Sequence, residues 1–305
     1  MTSGADPVHD SDARPDASVV WLDGSLVEPT TARVRWDDHG LTVGDGVFET
    51  IKTVGAQPFA LDAHLERLGH SADGLGFTPP PLPLVRDAVH AVARSWAVAA
   101  GADAVGRLRV TVTTGSGPAG SFRVPRDNAD TSDPQLGCTL LVTASGLALS
   151  RQPTDVITVG WTRNERGALA GLKTTSYAEN VLALAKAHEA RASEALFANT
   201  RGQLCEGTGT NVFVESAGFL ATPPLSSGCL AGVTRRLLID ALAGRGIEVD
   251  EVELPMEVLK VTSEAFLVST GREVQPIANV DSVPLRSAPG PLTRAAIEAW
   301  DDTYS

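Results

Sequence analysis

Gly171-Leu172-Lys173-Thr174-Thr175-Ser176-Tyr177, running into an Ala- and Leu-rich stretch that ends near Ser193, decides how this chain is read. The composition of 177–193 predicts a long helix. A single lysine therefore stands among small and hydroxyl-bearing residues just ahead of a helix start. Partly desolvated and close to a phenol, such an amine would have a lowered pKa and act as a nucleophile. An exposed lysine beside a Ser- or Thr-capped helix fits the same residues, so the stretch needs company before it carries chemistry.

Strand-like runs lie to either side of it. Downstream, β-branched and apolar runs at 195–198, 211–215 and 265–269 predict strands, with helices at about 233–245 and 291–300. Upstream, strands are expected at 18–22, 32–36, 47–53, 107–114 and 156–161, with an apolar run at 138–143. Leucines at 61, 65 and 68 mark one face of a helix, and 84–100 reads as another. Residues 1–17 are polar and acidic, and read as a disordered tail. The Asp/Asn/Ser-rich, proline-bounded stretch around 126–137 is the expected linker. The expected organisation is thus α/β (α+β) with two domains, an N-terminal one at 18–125 and a C-terminal one at 138–305.

Composition narrows the function classes. The 305 residues carry a formal charge of −12 and a pI near 4.9, which argues against nucleic acid or an anionic membrane as partner. Three cysteines without CxxC spacing fit a reduced compartment. No apolar run reaches the ~20 residues of a membrane helix, and the N-terminus lacks the basic and apolar regions of a signal peptide. The expectation is a cytoplasmic protein acting on a small molecule, with no nucleic acid, no membrane and no metal, since the six histidines show no ligand spacing. Gly115-Ser116-Gly117-Pro118-Ala119-Gly120 satisfies GxGxxG, but Pro118 and the residues after it cannot open the helix that a dinucleotide site requires. It reads as a glycine-rich turn.

Three further features gain weight beside Lys173. Glu206 stands next to Gly207-Thr208-Gly209-Thr210, where small residues let a ligand approach the backbone; a turn between strands is the plainer reading. Gly232-Val233-Thr234 opens a helix whose first-turn N–H groups suit an anion, or simply starts that helix. Arg67, on the helix at 61–68, either pairs with a phosphate or solvates a polar face. Together, an amine, a carboxylate, a helix N-terminus and an arginine are the parts that hold pyridoxal 5′-phosphate.

The chain resembles the fold-type IV pyridoxal-phosphate enzymes: branched-chain aminotransferases, D-amino acid aminotransferases and 4-amino-4-deoxychorismate lyases. DHGLTVGDGVFETIKT (38–53), HLERL (64–68), RLRVTVTTGSG (107–117), GLKTTSYAEN (171–180), EGTGTNVFVE (206–215), TPPLSSGCLAGVTR (222–235) and FLVSTGREVQPI (266–277) carry the likeness, in order. The resemblance implies that Lys173 is the Schiff-base lysine and proton shuttle. It implies that Glu206 partners the pyridine nitrogen, and that Arg67, Thr270 and the Val233 and Thr234 N–H groups bind the phosphate. Tyr177 would bond the cofactor's phenolic oxygen. A small N-terminal α/β domain, a larger C-terminal domain of pseudo-barrel character and a homodimer are implied as well.

Among these relatives, GDGVFET puts Thr50 where the lyases carry a threonine that assists the proton step. RLRVTV has Arg107 and Val110 in place of the tyrosine and proline of the aminotransferases' YxRP pattern, and Val43 replaces a common aromatic residue. These favour the lyase of folate synthesis over an aminotransferase for branched-chain amino acids, D-amino acids or amines. Ala119 departs from an arginine that some lyases carry. Arg109 and Arg272 are the candidate clamps for substrate carboxylates, each with an ordinary ion pair as its alternative.

Overall fold

Period-two burial builds the first sheet. In β5 (Val105–Thr113) Leu108, Val110 and Val112 are buried while Arg107 and Arg109 are exposed, and β6 (Thr139–Gly146) answers with buried Leu140, Val142 and Ala144. The two strands pair antiparallel with Leu108 opposite Ala144 and Val110 opposite Val142, so both apolar sets share one face. Helix α3 (Leu82–Ala100) packs against that sheet, burying Val85, Val89, Val92 and Trp96 at helical spacing. Each such side chain contributes about 1.5–3 kcal/mol on burial. β1 (Val19–Leu22), β2 (Ser25–Val27), β3 (Gly46–Val54) and β4 (Gln57–Pro58) complete the order β2-β1-β6-β5-β3-β4. Short α1 (His39–Thr42) follows Asp38, and α2 (Leu61–Gly74) follows β4. This computed structural model describes residues 17–123 and 137–304.

The second sheet is mixed. β7 (Thr154–Thr158), α4 (Ala178–Glu189) and β8 (Glu194–Ala198) form a parallel crossover, and β9 (Leu204–Gly207) returns antiparallel to β8. β10 (Asn211–Ser216), β11 (Phe219–Thr222), α5 (Val233–Ala243), β12 (Val249–Glu251), α6 (Val258–Val261), β13 (Ala265–Ser269), β14 (Glu273–Val280), β15 (Val283–Pro284) and α7 (Pro291–Tyr304) follow. The strand order is β12-β11-β10-β13-β14-β7-β8-β9, with β15 on β14. Val156, Leu196, Val212, Leu267 and Ile277 form its main core, and α4 lays Ala183 and Ala187 against Phe197.

The chain therefore divides into two compact units of mixed α/β type, along lines that differ from the expected boundaries. β6 pairs with β1 and β5, so the first unit reaches Ala148. The second unit takes in residues 43–47 and 66–78 besides 149–305, because space and not chain order decides contact. The expected tail and linker lie outside the described residues, apart from Ala17 and Gly137. Residues 32–36 are not a strand: Arg33 bonds the Thr30 and Ala32 carbonyls, Arg35 bonds Asp37, and no sheet partner lies alongside. The helix expected to reach Ser193 ends at Glu189, where Arg191 turns to a φ of 61° and the Ser193 N–H joins Asp155. The glycine-rich turn opens no helix; the Gly117 N–H donates to Asp37 and the His39 ring meets the Pro118 carbonyl at 2.9 Å.

Candidate active site

The lysine loop is fixed by its backbone, within the second unit. The Lys173 N–H donates to the Ser71 hydroxyl at 3.1 Å, and Ser71 is fully buried on α2, one helical turn beyond Arg67. Thr174 forms a β-bridge with Val47, the Thr175 N–H donates to the Gly46 carbonyl at 2.8 Å, and its hydroxyl donates to the Gly44 carbonyl at 2.9 Å. Lys173 itself is half-buried. These contacts define where its Cα lies without using the amine.

Five residues ahead of and into α5 join the other expected parts. The Leu230 N–H donates to Glu206 Oε2 at 2.9 Å, and the Leu230 carbonyl accepts from the Asn211 amide at 2.9 Å. One residue on, the Ala231 carbonyl accepts from Arg67 at 2.9 Å. Gly232 then leads into Val233 and Thr234, both buried, whose N–H groups have no acceptor within the helix. α5 packs on β13, and the turn after β13 carries half-buried Thr270. The segment thus links a carboxylate at one end to an arginine and a helix N-terminus at the other, the charge pattern of a cofactor with a basic ring nitrogen and a phosphate. Gly232 is a requirement of this geometry, since a Cβ there would meet Asn211 Oδ1 at 2.0 Å. Gly232→Ala is expected to break the Asn211–Leu230 bond, cost about 1–3 kcal/mol by overpacking, and lower phosphate-ester affinity, as read by titration of the apoprotein with pyridoxal phosphate.

Tyr177 caps α4, and its hydroxyl donates to the Thr208 carbonyl at 2.7 Å; the Asn180 amide donates to the same carbonyl. Burial, then the negative charge of Glu206, pushes the phenol pKa up. Glu206 is pushed up by burial as well, opposed first by Arg163 and then by the Leu230 N–H and Lys173. Cys205 and Cys229 are buried with raised pKa values, the latter at about 11, so both stay thiols at neutral pH. Among the described residues, no group of three or more His, Cys, Asp or Glu side chains could hold a metal ion, and no helix is long and apolar enough to cross a membrane.

The two candidate clamp arginines part company. Arg109, exposed on β5, lies 3.9 Å from the Phe48 ring on neighbouring β3. Thr50, two residues on from Phe48, is half-exposed in a strand otherwise buried from Gly46 to Thr53. Arg272 differs from expectation: it is largely buried and donates to the Ser193 carbonyl at 2.7 Å, the Ser193 hydroxyl at 3.0 Å and the Gln275 side chain. Its guanidinium braces the turn before β8, and burial pulls its pKa down.

Three residues escaped the motif reading. Ser71 anchors the lysine loop. Glu194, 2% exposed, accepts the Thr208 N–H and the Thr208 and Thr210 hydroxyls, fixing the loop that follows Glu206. Arg163 reaches Glu206 Oε1 at 3.4 Å, donates to Asn180 at 2.7 Å and lies over the Phe197 ring at 4.1 Å. Its Nε is buried without a hydrogen-bond partner. An Arg ten residues before the key lysine was a visible signal, but nothing local said which carboxylate it would meet.

Residues 46–280 match the amino-transferase class IV family. A bifunctional aminodeoxychorismate lyase / D-amino acid transaminase of Mycobacterium tuberculosis is 29% identical, over 83% of this chain and 87% of that protein. The solved branched-chain aminotransferase of Thermoproteus uzoniensis, with norvaline, shares 30% identity and a TM-score of 0.80, over 93% of this chain and 94% of that one. A hypothetical aminotransferase of M. tuberculosis in its PLP-bound form shares 27% identity and a TM-score of 0.80, covering 93% and 97%. The two-unit α/β architecture is that of these fold-type IV proteins.

Proposed function

Because the chain belongs to the class IV aminotransferases, whose cofactor is pyridoxal phosphate, we propose that it eliminates pyruvate from 4-amino-4-deoxychorismate, leaving 4-aminobenzoate. The cofactor, when bound, supplies an electron sink for the pair left as a carbon–hydrogen bond beside the amine breaks. Arg67, Thr270 and the Val233 and Thr234 N–H groups bind the phosphate. Glu206 holds a proton on the ring nitrogen. Asn180 keeps the Thr208 carbonyl satisfied, so that Tyr177 would be able to turn its proton to the cofactor's phenolic oxygen. Lys173 takes the proton from the substrate carbon that bears the amine. As the ring carbon–oxygen bond breaks, Thr50 would relay the proton taken by Lys173 to the methylene carbon of the departing enolpyruvate, and Arg109 would pair with a substrate carboxylate.

The observation that supports the lyase over its relatives is Thr50. A half-buried threonine amid the buried residues Gly46 to Thr53, two residues from the ring that Arg109 covers, combines a proton carrier with a basic face. Arg107 and Arg109 give an anionic substrate local attraction on a chain of net charge −12. The expected result is release of pyruvate from aminodeoxychorismate with no keto-acid acceptor present. Amino transfer to 2-oxoglutarate or pyruvate without that release would replace this reading with the second one, an aminotransferase. The likeness to proteins named for branched-chain and D-amino acid transamination favours that alternative. We infer a cytoplasmic homodimer in either case; a monomeric mass by sedimentation would refute the dimer.

A further inference from the structure

We propose that Arg163 is a positioning residue that fixes the charge and orientation of Glu206, so that the proton these groups govern resides on the cofactor's ring nitrogen. The inference rests on the assignment of Glu206 to that nitrogen.

Three contacts hold the guanidinium in place. Asn180 accepts from Nη2 at 2.7 Å, Glu179 lies 3.4 Å from Nη1, and the Phe197 ring centroid lies 4.1 Å from Cζ. That leaves Nε as the buried donor without a hydrogen-bond partner, 3.4 Å from Glu206 Oε1. A buried donor left unpaired is costly, and a small rotation of the carboxylate converts this contact into a charge-assisted hydrogen bond. Glu206 Oε2 is already fixed by the Leu230 N–H. With both oxygens so engaged, the plane of the carboxylate would be set, leaving its remaining lone pairs for the ring nitrogen of a bound cofactor.

The electrostatic consequence follows from who surrounds Glu206. Burial favours its neutral form, and Glu194 pushes the same way; Arg163 leads the opposing groups, ahead of the Leu230 N–H and Lys173. Tyr177, Cys205 and Cys229 also face it, and all three remain protonated at neutral pH because their own pKa values are raised. Arg163 is therefore the fixed positive charge that offsets the cost of an ionised carboxylate in this setting. Without it, the proton between carboxylate and ring passes to the carboxylate. The ring then becomes neutral and a weaker electron sink, although every group that touches the cofactor is intact.

Arg163 also joins the two ends of the ring site. Asn180, which it holds, donates to the Thr208 carbonyl that the Tyr177 hydroxyl shares. One side chain thus sets the carboxylate near the ring nitrogen and the amide that frees the phenol.

The test is the ¹⁵N chemical shift of the ring nitrogen in holoenzyme loaded with ¹⁵N-labelled pyridoxal phosphate, near pH 7. Wild type is expected to give a protonated nitrogen. Arg163→Gln is expected to move the signal to the neutral position and to weaken cofactor binding by roughly tenfold. A protonated nitrogen in Arg163→Gln overturns the proposal. Should that variant fail to fold, Asn180→Ala, which removes the 2.7 Å anchor, is measured in its place; a shift toward neutral supports the proposal and an unmoved signal overturns it. Glu206→Gln is the control for the underlying assignment. If it retains a protonated nitrogen, Glu206 is not the ring partner, whereas failure at Arg163 alone leaves that partner standing.

Discussion

Lys173→Ala is expected to leave a folded protein that retains no cofactor after borohydride treatment and desalting, with turnover reduced by roughly 10³-fold or more. In the proposed role of Lys173, removing the amine deletes both the group that anchors the cofactor covalently and the base that moves the proton. A positioned acid–base group alone is worth about 10²–10⁴-fold. The fold should survive because the loop is secured through its main chain: the residue-173 N–H to Ser71, the Thr174 bridge to Val47, and the Thr175 N–H to Gly46. None of these needs the lysine side chain. Circular dichroism and mass analysis of the reduced protein check the two halves of the expectation. A mass increment equal to one reduced cofactor in the variant would remove Lys173 from its role.

Glu194→Ala is expected to be the more damaging change to stability. Its carboxylate is 2% exposed and accepts from the Ala195 and Thr208 N–H groups at 2.9 Å, and from the Thr208 and Thr210 hydroxyls. Truncation leaves several buried donors with no acceptor. At about 1–3 kcal/mol for each unsatisfied group, partly relieved by rotating hydroxyls, a total loss of about 2–4 kcal/mol is expected. Gly207 leaves little slack, since a Cβ there would lie 2.1 Å from Thr210 Oγ1 and 3.0 Å from Glu194 Cδ. Urea unfolding of the apoprotein, with the slope unchanged and the midpoint lowered, is the measurement. An unmoved midpoint would mean that the 208–210 loop is secured by something other than this carboxylate.

The residues that were legible in the sequence are those whose chemistry is local. Lys173 beside its hydroxyl residues, Glu206 beside its glycines and Gly232 ahead of a helix each carry a signal within about seven residues. The strand at Ala265–Ser269 was predicted to the residue because a continuous apolar run has one outcome when both faces are buried. Ala32 to Trp36 failed for the converse reason. Alternation says which face a residue would take in a sheet, but an edge must be available to pair with, and here the arginines bond neighbouring loop atoms. Ser71 was invisible because its partner lies 102 residues away. Arg272 stayed open between clamp and structural roles because an arginine at that position looks alike whether its guanidinium faces a ligand or, as here, the Ser193 carbonyl. Arg67 read equally as a phosphate partner or a polar-face residue, because its proximity to Ala231 spans 164 positions.

The second compact unit is assembled from three separate lengths of chain, 43–47, 66–78 and 149–305. Ser71 and Gly46, which fix the lysine loop, come from the two short lengths. No single cut yields this unit as a cassette: a transplant of 149–305 would carry the lysine, the carboxylate and the helix N-terminus, yet lack Arg67 and the scaffold for the reactive loop. A crossover anywhere between residues 47 and 149 would separate these lengths from one another. Substitution in place leaves that scaffold intact, with half-buried Thr50 and exposed Arg109 open to change.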